Sequence, residues 1–345
     1  MNNMRTEFFK IDSYKDSDKI NKIGRILKSG GIVGIPTETV YGLAANALDE
    51  RAVSKIFEAK GRPQDNPLIV HINDIDELYP LVKSVPKEAL SLAEHFWPGP
   101  LTIILPRSDI VPKSVSAGLD TVAIRMPSHP IARAIIRAAG VPLAAPSANL
   151  SGKPSPTTAQ HVLNDLDGKI DAIADGGACS VGLESTVVTL CETPARLLRP
   201  GKITPAELAQ VLGEIEIDKS VLGELQEGIL PSSPGMKYKH YSPNANVVIV
   251  RGEFENFCKY VEYNKAKGVM AICFDGEEKL LDCPCLCFGD KADTAQQAQR
   301  LFDALRRVDE LEASTVFVRC PKSEGVGLAV MNRLLRAAEF EVIDI

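Results

Sequence analysis

Between residues 18 and 212, short apolar runs alternate with stretches of helical spacing, and the alternation resumes from 247 to 345. No feature constrains the fold more: such a chain lays helices against a twisted α/β sheet rather than forming a bundle or a sandwich. Strands are expected at 32–35, 68–72, 101–105, 121–125, 141–145, 170–174, 186–190 and 196–199. Helices are expected at 18–28, 49–59, 75–82, 86–97, 129–139, 157–166 and 205–212. In the last hundred residues, strands at 247–250, 269–274, 315–319 and 341–345 enclose helices at 254–266, 294–311 and 327–339. With 345 residues there is room for two cores. The expected fold class is α/β, with a twisted open mixed sheet over 1–213 and a smaller, doubly wound, Rossmann-like domain over 245–345. Residues 214–244 are charged, then rich in proline and tyrosine, and read as a linker.

Polar residues gather at the ends of these strands, where open α/β sheets bind ligands. Thr37, Glu38, Thr39 and Tyr41 follow the 32–35 run, and Gly42 permits a turn or a close approach. Lys60 ends the 49–59 helix, Gly61 suits a left-handed cap, and Arg62 stands between Gly61 and Pro63. Two cations at a rigid turn suit a polyphosphate or a carboxylate. They equally suit the dipole of the helix C-terminus, which leaves both readings open. His71 on its strand has a plainer reading too, as a hydrogen-bonded core histidine. Arg125 ends the 121–125 run. Pro146, Ser147, Ala148 and Asn149, extended by Ser151, Gly152 and Ser155, make a hydroxyl-rich loop suited to an anion or to an ordinary turn and helix cap. Thr204 and Glu207 form a capping box with Pro205 at the first helical position. Trp97 is expected to pack.

The formal net charge of −6, with no long basic run, argues against a general nucleic-acid binder. The charged N-terminal stretch is unlike a signal peptide, no apolar run approaches the roughly 20 residues of a membrane span, and a cytoplasmic protein is expected. Of eight cysteines, Cys283, Cys285 and Cys287 alternate in CPCLC. No second Cys/His pair has zinc-ligand spacing, so these read as small apolar strand residues, and no metal site is expected. Neither a P-loop nor G-x-G-x-x-G occurs, so any nucleotide is held by another device.

The segments PTETVYGL (36–43), KGRP (60–63) with Asn66-Pro67-Leu68, WPGPLT (97–102), PSAN (146–149) and STVV (185–188) resemble the YrdC-like domain. SPGMKYKHYSP (233–243) and GLAVMNRLLRAA (327–338) resemble the linker and C-terminal domain of two-domain threonylcarbamoyl-AMP synthases. These segments follow the family's order over almost the whole chain. The resemblance implies a nucleotidyltransferase that converts L-threonine, bicarbonate or CO2, and ATP to threonylcarbamoyl-adenylate and pyrophosphate. Mg²⁺ would travel with ATP. The product would pass to a tRNA threonylcarbamoyl-transferase complex, which modifies an adenosine in tRNA. By the same resemblance Thr39, His71, Arg125, Ala145 and Ser185 would hold L-threonine. Lys60, Arg62, Asn66, Thr121, Ser147, Ser155 and Arg199 would hold ATP, and Lys237, Lys239 and Tyr241 would close over it as a lid. The family often has KYRHYAP where this chain has KYKHYSP. Lys239 keeps the charge and loses the bidentate fork, which weakens a phosphate clamp there. The alternatives are an RNA-binding or regulatory YrdC-like module without catalysis, and the carbamate chemistry of hydrogenase-maturation carbamoyltransferases. The latter carry acylphosphatase and zinc-finger segments not found here.

Overall fold

The computed structural model describes residues 5–223 and 241–345. The strands in chain order are β1 (Glu7–Lys10), β2 (Val33–Ile35), β3 (Gly42–Asn46), β4 (Ile69–His71), β5 (Leu101–Pro106), β6 (Thr121–Arg125), β7 (Leu143–Ala144), β8 (Ala172–Asp175), β9 (Thr186–Thr189), β10 (Ala195–Arg199), β11 (Ile215–Ile217), β12 (Asn246–Arg251), β13 (Val269–Cys273), β14 (Cys285–Cys287), β15 (Thr315–Arg319) and β16 (Val342–Asp344). Among the described residues they form two sheets. The first runs β1-β8-β2-β3-β7-β4-β6-β5-β9-β10-β11 and is mixed: β4 lies parallel to β6, β5 antiparallel to β6 and parallel to β9. The second runs β14-β13-β15-β12-β16, with every pairing parallel.

Period-two alternation decides which side chains reach the site. In β4, β5, β6 and β9 one set, including Val70, Ile103, Ile124 and Val188, faces the large core of the first sheet. The other set, Ile69, Ile104, Ala123 and Val187, makes a small separate cluster. His71 and Arg125 lie on this second side, two residues on from Ile69 and Ala123. Helices Ser17–Lys28 and Pro130–Ala139 cover the β2 and β8 region. They cross closely at Gly24, where an added Cβ would meet the Ala138 carbonyl carbon at 2.7 Å. In the second sheet Val247 and Ile249 face helices Thr294–Glu310 and Gly327–Ala337, while Val248 and Val250 face helix Phe254–Tyr263. Val40 and Leu183 of the first sheet's loops join that second core.

Several local expectations hold in detail. Gly61 caps helix Glu50–Lys60 at φ 61°, Thr204 and Glu207 form their capping box, and Trp97 is buried with its indole N–H donating to Leu101 O at 2.7 Å. Others are corrected. Gly42 is not a turn residue; it opens β3, where a Cβ would press on that of Ala145 at 3.2 Å. Residues 215–217, read as linker, pair with β10 as an edge strand, which short, half-exposed alternation disguised. Edge strand β1 was missed because exposed residues flank its apolar pair. Lys237 and Lys239 lie outside the described residues; Tyr241 lies within them. No helix among the described residues is long and apolar enough to cross a membrane.

Candidate active site

The parallel register of β4 and β6 sets His71 beside Arg125, and the antiparallel register of β5 sets Thr102 across from it. Arg125 is buried. Its Nη1 donates to Thr39 Oγ1 at 2.9 Å and its Nε to Gly99 O at 3.3 Å. Nη2 lies 2.6 Å from Glu38 Oε1. Burial, the largest single influence, would raise the Glu38 carboxyl, but the Arg125 charge and hydrogen bonding together hold Glu38 below the usual carboxylate range. Thr37 ties this loop together, donating to Val40 O at 2.6 Å and lying 2.8 Å from Thr39 Oγ1. His71 Nδ1 lies 3.2 Å from Ile69 O, so Nδ1 carries the proton and Nε2 presents a lone pair. Burial, then the Arg125 charge, pushes the imidazole pKa down to about 3. The ring is neutral at physiological pH.

Ser185 stands at the entry to β9. Its Oγ lies 2.7 Å from Thr102 Oγ1, and Arg199 donates to it from Nη2 at 3.1 Å and to its carbonyl from Nε at 3.0 Å. Burial pulls Arg199 down to about 10, which leaves it charged. Across the pocket, Ser147 Oγ donates to Asn149 Oδ1 at 2.6 Å, and Asn149 Nδ2 donates to Leu150 O and Lys153 O.

One pocket brings together nine of the sequence-predicted residues: Thr39, His71, Arg125, Ala145, Ser185, Arg62, Ser147, Arg199 and Tyr241. The others stand differently. Lys60 is buried behind the loop, its ammonium donating to the carbonyls of Ser147 and of Asn149, the latter at 2.6 Å. It does not line the pocket and braces the Ser147 loop from behind. Thr121 starts the strand that Arg125 ends, about 13 Å away at roughly 3.3 Å per residue and on the same face. It lies outside the pocket, on the line an extended ligand would follow. Asn66 is buried, and neither its amide N nor its amide O has a hydrogen-bond partner among the described residues. Ser155 is buried and donates to Glu184.

Sequence reasoning missed Glu184, which lines the pocket, and named Glu38 in its loop without the role of pairing with Arg125. Glu184 accepts from Ser155 and, at 2.8 Å, from Arg333 Nε of the second domain. Burial opposes its charge, but Arg333 and Arg199 prevail and keep the carboxyl ionised. Glu38 had a visible signal, a carboxylate between two threonines at a strand end. Glu184 had none beyond its place before Ser185.

Arginines, hydroxyls and a neutral imidazole line a pocket at the strand ends of a mixed sheet, and a second α/β domain reaches its Glu184 from behind through Arg333. This is a two-domain α/β protein with a site for small anionic ligands. Residues 25–201 match the family model described as "Telomere recombination", and 203–339 match "Threonylcarbamoyl-AMP synthase, C-terminal domain". The chain is 46% identical to the threonylcarbamoyl-AMP synthase of Pyrococcus abyssi over 95% of this chain and 96% of that one. It is 47% identical to the Bacillus subtilis threonylcarbamoyl-AMP synthase over 94% of each. Its fold matches the crystal structure of P. abyssi Sua5 complexed with L-threonine, with a TM-score of 0.91 at 44% identity over 99% of this chain and all of that one. Escherichia coli YciO matches 57% of the chain with a TM-score of 0.52. The chain belongs to the threonylcarbamoyl-AMP synthase family.

Proposed function

We propose that this protein condenses L-threonine, bicarbonate or CO2, and ATP into threonylcarbamoyl-adenylate, releasing pyrophosphate. The observation that carries the reading is the pocket at the β4 and β6 ends. There Arg125, neutral His71, Ser185, Arg62, Ser147 and Arg199 line one space. Arg125 donates to Gly99 and Thr39 and pairs with the Glu38 charge through Nη2, whose N–H bonds have no hydrogen-bond partner among the described residues and can meet the threonine carboxylate. His71 Nε2 offers an acceptor to the threonine hydroxyl or amine. The amine gives up a proton to become a carbamate, and a carbamate oxygen attacks the α-phosphorus in line with departing pyrophosphate. That step needs alignment and charge compensation rather than a protein nucleophile. Arg62 and Arg199 supply the charge, and Thr121 extends the nucleotide's path along β6.

Among the described residues no group of three or more His, Cys, Asp or Glu side chains is arranged to hold a metal ion. The pocket's carboxylate, Glu184, already has oxygens committed to Ser155 and Arg333. Mg²⁺ enters this reading as part of the MgATP substrate, carried by the phosphates. The adenylate would pass to a tRNA threonylcarbamoyl-transferase complex, with weak or no direct RNA binding by this chain.

The test is pyrophosphate release from MgATP with and without L-threonine and bicarbonate. Release that needs both co-substrates is expected. Release indifferent to threonine, or none from folded protein that binds ATP, would overturn the reading.

A further inference from the structure

Polar contacts from the second domain reach one wall of the pocket. Arg333, on helix Gly327–Ala337, has no solvent exposure. Its Nε donates to Glu184 Oε2 at 2.8 Å, its Nη1 to Pro200 O at 2.8 Å and to Asn332 Oδ1 at 2.9 Å, and its Nη2 to Glu184 O at 3.4 Å. The guanidinium also lies over the Tyr241 ring, 5.8 Å from its centre. Glu184 precedes Ser185, Pro200 follows Arg199, and Tyr241 lines the pocket. Through Glu184 the contact continues to Ser155. On the opposite wall Val40 packs into the second domain's core, but the side-chain hydrogen bonds there stay within the first domain. The side-chain partners described for Thr39, His71 and Arg125 are Thr37, Glu38, Gly99 and Ile69, all in the first domain. Ser185 Oγ is braced independently by Thr102.

We propose that Arg333 is a positioning residue for the nucleotide half of the site. It fixes Glu184 and Ser155 in place and offsets the Glu184 charge that would otherwise face a polyphosphate. The second domain's buried arginine then braces the ATP wall, and its polar contacts do not extend to the side chains of Thr39, His71 and Arg125. This rests on the reading that the pocket takes ATP beside Ser147, Ser155 and Arg199. An ion pair serving only to dock the domains would not distinguish two ligands in one pocket. A buried cation that neutralises one wall must. Loss of Arg333 bares the Glu184 carboxylate toward the triphosphate, and losing a charged hydrogen-bond partner alters affinity by about tenfold or more.

The experiment is calorimetric titration of the full chain with MgATP and, separately, with L-threonine, for wild type, Arg333→Gln, Arg333→Lys and the double variant Arg333→Gln with Glu184→Gln. Arg333→Gln should weaken MgATP at least about tenfold and change threonine affinity less than about twofold. Lysine, which keeps the charge, should recover part of the loss. The double variant should recover part as well, because the bare carboxylate is gone. Equal weakening of both ligands, or unchanged MgATP affinity, overturns the proposal. Should Arg333→Gln lose its cooperative melting transition, Arg333→Lys alone decides: a smaller loss confined to MgATP supports the proposal, and a loss shared by both ligands overturns it. Wild-type protein that binds no MgATP would instead overturn the proposed function, so the two failures are distinguishable.

Discussion

Replacing Lys60 with methionine separates two roles that look alike in sequence. Lys60 is 2% exposed, and its ammonium donates to Ser147 O, to Asn149 O at 2.6 Å and toward Asn149 Oδ1 at 3.4 Å. Its own carbonyl accepts from Ser151 N at 2.9 Å, so the residue grips the loop at both ends. Burial, then the nearby Arg62 charge, draws its pKa well below that of a free lysine. Three acceptor oxygens match the three N–H bonds of an ammonium. Methionine fills the space and leaves two carbonyls dry, at about 1–3 kcal/mol each. Removing a buried charge returns part of this, for a net loss of about 2–4 kcal/mol. For a domain of roughly 200 residues that lowers the melting temperature by about 5–15 °C. The check is a thermal melt beside pyrophosphate release on the same preparation. Turnover should fall together with stability, as the Ser147 loop loosens. A variant that melts like wild type yet turns nothing over would refute this reasoning and restore Lys60 to direct phosphate contact.

Other substitutions probe the remaining walls. Arg62→Ala should cut turnover by about ten- to a hundredfold while the melting curve stays within about 0.5 kcal/mol of wild type, because Arg62 is only half-buried at the pocket edge; wild-type turnover would remove it from the phosphate role. Glu38→Gln leaves Arg125 buried without its counter-ion and should cost about 3–5 kcal/mol in ligand-free protein. Saturating L-threonine should raise the melting temperature of this variant more than that of wild type, since the ligand carboxylate replaces the missing charge; equal rises would contradict the assignment. His71 titrates near 3 when folded, against about 6.5 in an unfolded chain. The unfolded state therefore binds more protons between those values, and stability present above pH 6.5 is lost as pH falls toward 3, by on the order of 4 kcal/mol. His71→Gln should flatten that limb in urea unfolding measured from pH 7 to 4; an unchanged slope would refute the buried neutral imidazole.

What the sequence made legible, and what it hid, follows from where each partner lies. The strands that carry His71 and Arg125 were visible because apolar runs end abruptly in a polar group. Strand β3 was not: Gly42, Ala44 and Ala45 have little strand propensity, and they are small because Ala145 packs close against Gly42. Lys60 was visible as a cation at a helix end, but its acceptors lie 87 and 89 residues away. Arg333 was harder still, with Glu184 149 residues distant. Even so, one signal for it was present. GLAVMNRLLRA carries Asn332, Arg333 and Arg336 among apolar residues, and each residue of helix Gly327–Ala337 is buried. An arginine within such a helix has no solvated face on which to rest its charge. It must meet an anion or carbonyls inside the protein, and the first domain's loops are what this helix packs against. Once the helix is seen to be buried, that reasoning calls for a counter-charge or carbonyls at the domain boundary. It does not say that the counter-charge is Glu184, which only the meeting of the two domains at the pocket reveals.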